Sequence, residues 1–337
     1  AAGSVAAAGR LGPGGRIDPV TVRFPGLALD AGLTLGPDGP GAVALSRLRV
    51  GDWLDAKGRF DPVAGRLSLT AGRLDLRALP TGMRGAGGRG TLRRIDLALD
   101  RVDLTDAVAL SDFTGRLDGR MSGEIAARVN GAAPVAVRLV RQDGGMALHA
   151  TADDAGAVLR AAGFYGNLHG GALDLRLVPA GADLWRGQAR VTDTTLRDGP
   201  VIARILSGLS VVGALEQAQG AGIRFEDARA DFRLTRGGLA IDAASAAGPA
   251  IGLSLDGAVD MARRRLDLQG VVSPVYFLNR AGSVLTRRGE GLIGMSYTVT
   301  GPMAAPRVAV NPLSVLTPGF LREVFRTDRA RLPEPPE

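Results

Sequence analysis

Short runs in which a branched apolar residue alternates with a polar one recur along almost the whole of this 337-residue chain. Side chains of successive residues in a strand point to opposite faces of a sheet, so each run predicts a strand with one apolar and one polar face. Gly-rich turns separate the runs. The runs themselves include Leu67 and Leu69; Ile95, Leu97 and Leu99; Leu173, Leu175 and Leu177; Ile251, Leu253 and Leu255; and Met295, Tyr297 and Val299. This pattern predicts a mainly β protein built on a long antiparallel sheet.

The apolar residues are too small and too evenly spread to predict a bulky central core. Aromatic residues make up 4% of the chain, whereas hydrophobic residues as a whole make up 45%. Most of the apolar content is therefore Ala, Leu and Val distributed along the predicted strands. A one-sided apolar sheet of many strands must cover that face with something.

The positive charge of the chain is nearly all arginine, and Lys57 is the only lysine. The formal net charge is +7. Arginine presents a planar fork to phosphate oxygens, although a GC-rich coding bias accounts for the same composition. Single-strand nucleic-acid binders interleave basic residues with stacking aromatics, and Trp53 and Trp185 stand alone. Nucleic acid is therefore not an expected partner.

Nothing in the spacing of the polar residues assembles a catalytic or metal site, and we expect no enzyme activity and no cofactor. The chain has no cysteine, and its two histidines, His149 and His169, have no partner at metal-ligand spacing. Asp153-Asp154 is explained by capping of the helix that follows it. The letters GAGGRG at 85–90 imitate a dinucleotide fingerprint, but the residues after them alternate as a strand where the fingerprint requires a helix.

Three helices interrupt the strands. The first is predicted at 151–163, and the last begins after Thr317-Pro318. The second opens at Gly199-Pro200 and is amphipathic over about five turns. We expect it to pack on the apolar face as a cap or gate through five residues: Val201, Ile205, Leu209, Val212 and Leu215.

From about 110 to 325 the order of these elements resembles the C-terminal region of AsmA-like envelope proteins, the group that includes the YhdP and TamB types. The resemblance rests on four stretches, Asp153–Arg176, Arg190–Leu215, Gly222–Met261 and Gly289–Phe325. Residues 279–288 depart from it, because a more apolar segment with a proline is expected there. The N-terminal third is similar only in style. The resulting division is a linker at 1–16, a β segment at 17–109, an AsmA-like region at 110–326 and a disordered tail at 327–337.

The resemblance implies a curled sheet whose apolar inside is a groove for phospholipid acyl chains. It further implies a periplasmic protein of a Gram-negative bacterium, anchored to the inner membrane by an upstream segment, that carries phospholipid between inner and outer membranes and supports outer-membrane integrity. An outer-membrane or envelope protein would be a further partner. The groove lining expected from the strand pattern is Leu97, Leu99, Leu175, Leu177, Leu234, Ile241, Leu253, Leu255, Leu268 and Val299.

A non-catalytic envelope scaffold with a closed β core is the alternative hypothesis. The two hypotheses differ in what the apolar face contacts. A groove leaves that face open to lipid, whereas a scaffold packs it to the density of an ordinary protein interior.

Overall fold

The computed structural model describes residues 3–9, 15–36, 39–80, 92–142, 145–181, 183–207, 222–249, 251–274, 294–311, 314 and 331–332. Twenty strands and two short helices lie in these ranges, and the expected mainly β, antiparallel fold class is confirmed. The chain forms two compact units. Unit 1 is Ala1–Leu148 with Ala161–Phe164, and unit 2 is His149–Arg160 with Tyr165–Glu337. The sequence boundary at 109/110 came from the resemblance and stays a prediction.

Unit 1 is an open meander in which each strand pairs with the strands before and after it. The described part of unit 1 shows no pairing between its first and last strands. Its strands are β1 (Ser4–Gly9), β2 (Arg16–Phe24), β3 (Leu27–Gly36), β4 (Gly39–Val50), β5 (Leu54–Asp61), β6 (Arg66–Asp75), β7 (Arg94–Asp103), β8 (Ala109–Asp118), β9 (Gly123–Val129) and β10 (Ala133–Gln142).

One pair in unit 1, β6 with β7, is parallel, which the alternation of residues did not predict. Leu67 lies opposite Ile95 and Leu69 opposite Leu97, so the apolar face continues across the pair. Parallel strands cannot be joined by a tight hairpin. The connection accordingly runs through residues 76–93, whose predicted Gly-rich turn at 85–90 lies outside the described residues.

A buried carboxylate holds the ends of β6 and β7 together on the polar face. The Asp103 side chain is only 3% exposed and accepts hydrogen bonds from Arg73 Nε at 2.6 Å and Arg101 Nε at 2.7 Å. Burial acts to raise the pKa of Asp103, but the two arginines outweigh it and hold that pKa below its ordinary value. Asp103 lies on the polar face of the sheet and is buried beneath two guanidinium groups.

Unit 2 is a second antiparallel meander, and β11 (Gly145–Ala152) crosses the boundary between the units. The remaining elements in chain order are α1 (Ala155–Ala161), β12 (Leu168–His169), β13 (Ala172–Pro179), β14 (Trp185–Leu196), α2 (Pro200–Ser207), β15 (Ile223–Leu234), β16 (Gly238–Ala247), β17 (Ile251–Asp260), β18 (Arg265–Pro274), β19 (Met295–Pro302) and β20 (Arg307–Asn311). From β13 to β20 each strand pairs antiparallel with the next.

The first predicted helix is confirmed as α1. Asp154 Oδ1 accepts a hydrogen bond from the Ala157 amide at 2.8 Å, which is the capping role expected of it. Gly163, in the left-handed region with φ 73°, follows the end of the helix. The second predicted helix begins as α2, but the predicted positions Leu209, Val212 and Leu215 lie outside the described residues. So do the predicted helix at 317–325, the altered stretch at 279–288 and most of the tail.

Candidate functional site

One continuous apolar face runs across unit 2, because directly paired residues in a sheet project to the same side. Leu175 pairs with Ala189, which pairs with Ala230, which pairs with Ala244, which pairs with Leu255. Eight predicted groove positions belong to this face by the same register: Leu175, Leu177, Leu234, Ile241, Leu253, Leu255, Leu268 and Val299. The sheet therefore brings together residues more than a hundred positions apart in sequence.

Unit 1 carries an equivalent face that includes the other two predicted positions, Leu97 and Leu99. Leu97 pairs with Leu69 and Gly115, and Leu99 pairs with Phe113. Leu99 is 3% exposed, whereas Leu97 is half-buried. Toward β1 to β4 the same face is mostly half-buried, as at Val22, Leu29 and Leu48. In the described part of unit 1 no second layer buries these side chains fully.

In the middle of the unit 2 face, alanines replace the larger apolar residues and leave an open depression. We name it the alanine trough, and its floor is Ala189, Ala228, Ala230, Ala244 and Ala246. The cavity above this floor has a volume of about 280 Å³ and also contacts Val191, Leu253, Leu255 and Tyr297. β14 contributes one alanine to the floor, and β15 and β16 each contribute two at alternate positions, so these small side chains lie next to one another.

Two aromatic rings on the apolar face lie over glycines, and one of them, Tyr297, contacts the trough. The Phe232 ring lies across Gly187, where a Cβ would come within 2.2 Å of it, and the Tyr297 ring lies over Gly270. The Tyr297 hydroxyl donates to the Ser254 carbonyl oxygen at 2.9 Å, which fixes the ring. Any larger residue at Gly187 or Gly270 would displace these rings. At the trough, the Tyr297 ring is therefore held in place by a hydrogen bond.

Helix α2 covers part of the same face and shows that the sheet of unit 2 is curled. The helix follows β14 directly, yet Arg204 Nη1 donates to the Pro306 carbonyl oxygen at 3.0 Å, just before β20. Six strand spacings separate β14 from β20, or about 29 Å in a flat sheet, whereas an eight-residue helix is about 12 Å long. Only a sheet that curls toward itself lets one short helix contact both ends.

The buried cluster beneath α2 contains the predicted capping residue Ile205 and its neighbour Ile202. Ile202 and Ile205 are 6% and 2% exposed and pack with Phe225, Ile251 and Val272. Val201 is half-buried against the same cluster. Leu268 and Val299, predicted to line the groove, are instead buried members of this cluster, at 9% and 3% exposure. Of the predicted lining, Leu253 and Leu255 are the residues that contact the cavity.

The opposite face of unit 2 is polar and carries ion pairs. Asp227 accepts hydrogen bonds at 2.6 Å from both Arg190 Nε and Arg229 Nε. Burial acts to raise the pKa of Asp227, but the two guanidinium groups outweigh it and hold that pKa below its ordinary value. Arg233 and Asp242 form a further pair at 2.6 Å. Farther along the sheet, at β17 and β18, the same face is buried, as at Ser254, Asp256 and Gln269.

Neither histidine belongs to a candidate metal cluster in the described part of the chain. His149 has a partner that the spacing did not reveal, since its Nε2 lies 2.9 Å from Asp174 Oδ2. The hydrogen bond with His149 is the main reason that the pKa of Asp174 is lowered. His169 is half-buried in β12. Across the described ranges no cluster of three or more His, Asp or Glu side chains could hold a metal ion.

Reading the sequence one run at a time missed the alanine trough. Its signal is present in the letters, because Ala228 and Ala230 alternate in β15 and Ala244 and Ala246 alternate in β16. A single alanine in a strand indicates little. Only the pairing register shows that these alanines face the same side and lie next to each other.

Comparisons with known proteins add no relative. No protein-family model, no curated protein and no solved structure matches this chain. Among the described helices, neither has the length and apolar character needed to span a bilayer.

Proposed function

We propose that this chain is a section of a lipid-carrying protein that binds phospholipid acyl chains along its apolar sheet face. The observation that carries the proposal is the alanine trough, an open apolar depression on a face whose residues are paired without interruption from β13 to β20. The proposed setting is the one that the AsmA-like resemblance implies. There the protein would convey phospholipid between the inner and outer membranes from the periplasm.

The composition of the trough supports an acyl chain over a polar ligand. Alanine, leucine, valine and tyrosine side chains surround the cavity, and Arg229, Ser245 and Ser254 touch it from strands whose side chains alternate to the polar face. An acyl chain gains about 0.8 kcal/mol for each methylene removed from water. Ten methylenes would thus contribute roughly 8 kcal/mol before the cost of ordering the chain. The burial of methylene groups is non-directional. It therefore selects for the length and bulk of the acyl chain but not for the lipid headgroup.

The size of the trough supports a site that would hold only part of a phospholipid molecule. Small-molecule pockets usually enclose about 300–1,000 Å³. The cavity of about 280 Å³ therefore holds a segment of one acyl chain rather than a whole phospholipid. The neighbouring half-buried residues of the same face, such as Leu175 and Leu234, would hold the remainder. This arrangement suits a lipid that moves along a face better than one stored in a closed cavity.

The buried cluster under α2 favours the scaffold alternative over part of the same face. Ile251 and Val272 are 1% and 0% exposed, so that part is packed as an ordinary protein interior. A scaffold would extend such packing across the trough as well. The two functions therefore differ at the alanine floor.

A matched pair of substitutions in β16 tests the proposal. Ala244 lies on the trough floor, and the next residue toward the N-terminus, Ala243, is exposed and pairs with Asp231 on the polar face. Ala244→Trp should fill the trough and lower the crosslinking of a phospholipid with a photoreactive acyl chain at least tenfold. Ala243→Trp should leave crosslinking near the level of the unchanged protein, because its ring enters solvent.

Circular dichroism melts of both variants serve as the folding control. Equal crosslinking in folded Ala244→Trp and Ala243→Trp proteins would argue against a lipid in the trough and favour the scaffold. Leu268→Arg would be a poor probe, since it places a charge in the buried cluster and unfolds what it should test.

A further inference from the structure

The hairpin turns of unit 2 lie side by side at one end of its strands. Met261 N donates to the Gly237 carbonyl oxygen at 3.0 Å, which joins the β15–β16 turn to the β17–β18 turn. Met303 N donates to the Arg264 carbonyl oxygen at 2.9 Å, which joins the β17–β18 turn to the β19–β20 turn. Arg236 Nε lies 3.3 Å from Asp183, beside the β13–β14 turn. We call this end of the sheet the turn rim and define it as residues 180–181, 183–186, 233–237, 260–265 and 302–307.

The turn rim is strongly basic. It holds seven arginines against two aspartates, namely Arg186, Arg233, Arg236, Arg263, Arg264, Arg265 and Arg307 against Asp183 and Asp260. At the opposite ends of the same strands, the described charged residues are Arg197, Arg224, Asp193, Asp198 and Glu226. Among the described residues at the two ends of these strands, the positive charge is thus concentrated at the turn rim.

Four of the rim arginines are available to an external anion: Arg186, and three that lie together in two adjoining hairpins. Arg264, Arg265 and Arg307 are exposed and make no side-chain hydrogen bond or ion pair with any residue that the structure describes. Arg265 lies opposite Pro302, and Arg307 lies opposite Thr300, so all three arginines belong to two adjoining hairpins. Two strand spacings and an offset of two residues separate Arg265 from Arg307, which is about 12 Å between their Cα atoms in a flat sheet. Three unpaired guanidinium groups at that spacing fit a surface of many closely packed anions better than they fit a single anion.

Apolar side chains stand among the arginines. Met261 and Met303 are half-buried in the turns, and Ala262, Ala304 and Ala305 are exposed. Trp185 is half-buried at the first position of β14. Tryptophan is enriched where proteins meet the membrane–water interface, and basic residues beside apolar ones are typical of surfaces that contact anionic lipid. An acidic protein surface would satisfy the arginines but would give the exposed part of Trp185 no apolar medium, whereas Met261 and Met303 already pack against the buried cluster.

We propose that the turn rim is a docking surface for a membrane that contains anionic phospholipid. The lipid phosphates would contact Arg264, Arg265 and Arg307, and Trp185 with the two methionines would lie at the level of the headgroups. This contact would place one end of the apolar face of unit 2 at a bilayer surface. It does not depend on acyl chains occupying the alanine trough, so either proposal can fail without the other.

Flotation with two kinds of vesicle tests the rim. The unchanged chain should bind vesicles of equal parts phosphatidylglycerol and phosphatidylcholine and should bind phosphatidylcholine vesicles far less. Each basic residue near an anionic surface changes binding roughly fivefold. The triple variant Arg264→Gln, Arg265→Gln, Arg307→Gln should therefore lose about 100-fold in binding.

A matched triple variant in unit 1 removes the same charge elsewhere. Arg59, Arg116 and Arg120 are also exposed and make no side-chain hydrogen bond or ion pair with a described residue. Arg59→Gln, Arg116→Gln, Arg120→Gln should bind the anionic vesicles almost as well as the unchanged chain. Equal loss in both triple variants would show attraction by net charge alone and would overturn the proposal.

Trp185 supplies a second readout. The chain has two tryptophans, so in a Trp53→Phe background the fluorescence reports Trp185 alone. Anionic vesicles should shift this emission to shorter wavelength, and lipids brominated near the headgroup should quench it. Unchanged emission on binding would refute the membrane orientation. Complete competition by soluble glycerol 3-phosphate would also refute it, because the rim would then be a site for a single small phosphate.

Discussion

At the scale of single residues, the polar face depends on a few carboxylates held between arginines. Asp103 is the most buried of them, with hydrogen bonds from Arg73 and Arg101 on two parallel strands. Replacing a partner of a charge-assisted hydrogen bond leaves buried groups unsatisfied. The parallel pair β6–β7 therefore depends on this one carboxylate more than on the exposed ion pairs around it.

Asp103→Asn should lower the free energy of unfolding by about 2 kcal/mol, as measured by urea denaturation. The pKa of Asp103 is lowered in the folded chain, so its stabilising effect is present above pH about 4 and is lost as pH falls through the folded pKa. The difference between the two proteins should accordingly shrink at acid pH.

Asp106→Asn is the control for this change. Asp106 pairs with Arg77 but is 97% exposed, and exposed pairs contribute little to stability. A similar loss in both variants, or a loss that persists unchanged at low pH, would contradict the role assigned to Asp103.

At the scale of elements, α2 is the one described helix that lies on the apolar face of unit 2. Its hold on that face comes from Ile202 and Ile205, while Arg204 reaches the loop before β20. A short helix is not stable by itself in water, so its order depends on this packing. The element can therefore be released without disturbing the strand ladder.

Ile205→Ala should weaken α2 more than it weakens the strands. Removing a buried isoleucine usually costs about 3 kcal/mol. Amide hydrogen exchange should quicken throughout 200–207, including the Ala203 amide that donates to Gly199. Val201→Ala on the same helix, where the side chain is half-buried, should have a smaller effect. Unchanged exchange in α2 would mean that Ile205 does not anchor it.

At the scale of the whole molecule, both units are open meanders in which a strand contacts mainly its neighbours in sequence. Stability in such arrangements is nearly a sum of local terms. Local opening can then occur without global unfolding. An open apolar face fits a meander better than it fits one compact core, because no distant layer of the protein has to be removed before a ligand contacts that face.

Leu99→Ala tests how local that stability is. Leu99 is 3% exposed in β7, where it faces Phe113 of β8. Its truncation should speed hydrogen exchange in β6, β7 and β8 and leave β17 and β18 in unit 2 unchanged. Ala98, the exposed neighbour on the polar face, provides the control variant Ala98→Ser. Equal acceleration in β17 and β18 would show that the chain unfolds as one cooperative block.

The strands and the first helix followed from the sequence alone because their signals are local. Alternation at period two depends only on residues next to each other, and so do the Asp154 cap and the Gly163 stop of α1. The same alternation already separated an apolar from a polar face, and the pairing register places the eight predicted positions of unit 2 together on the first. That they hold lipid stays a prediction.

What the tertiary structure decided are the features that need several strands in register. The parallel pairing of β6 with β7 depends on the path of a connection, and the burial of Asp103 depends on that pairing. The alanine trough exists because small residues of β14, β15 and β16 become neighbours, and the turn rim exists because four turns share one edge. The curl that lets α2 reach Pro306 likewise sums small rotations between many strands. None of these features can be predicted from one run of residues. The alternation in a strand determines which face of the sheet a side chain lies on, but not which side chains of other strands lie next to it.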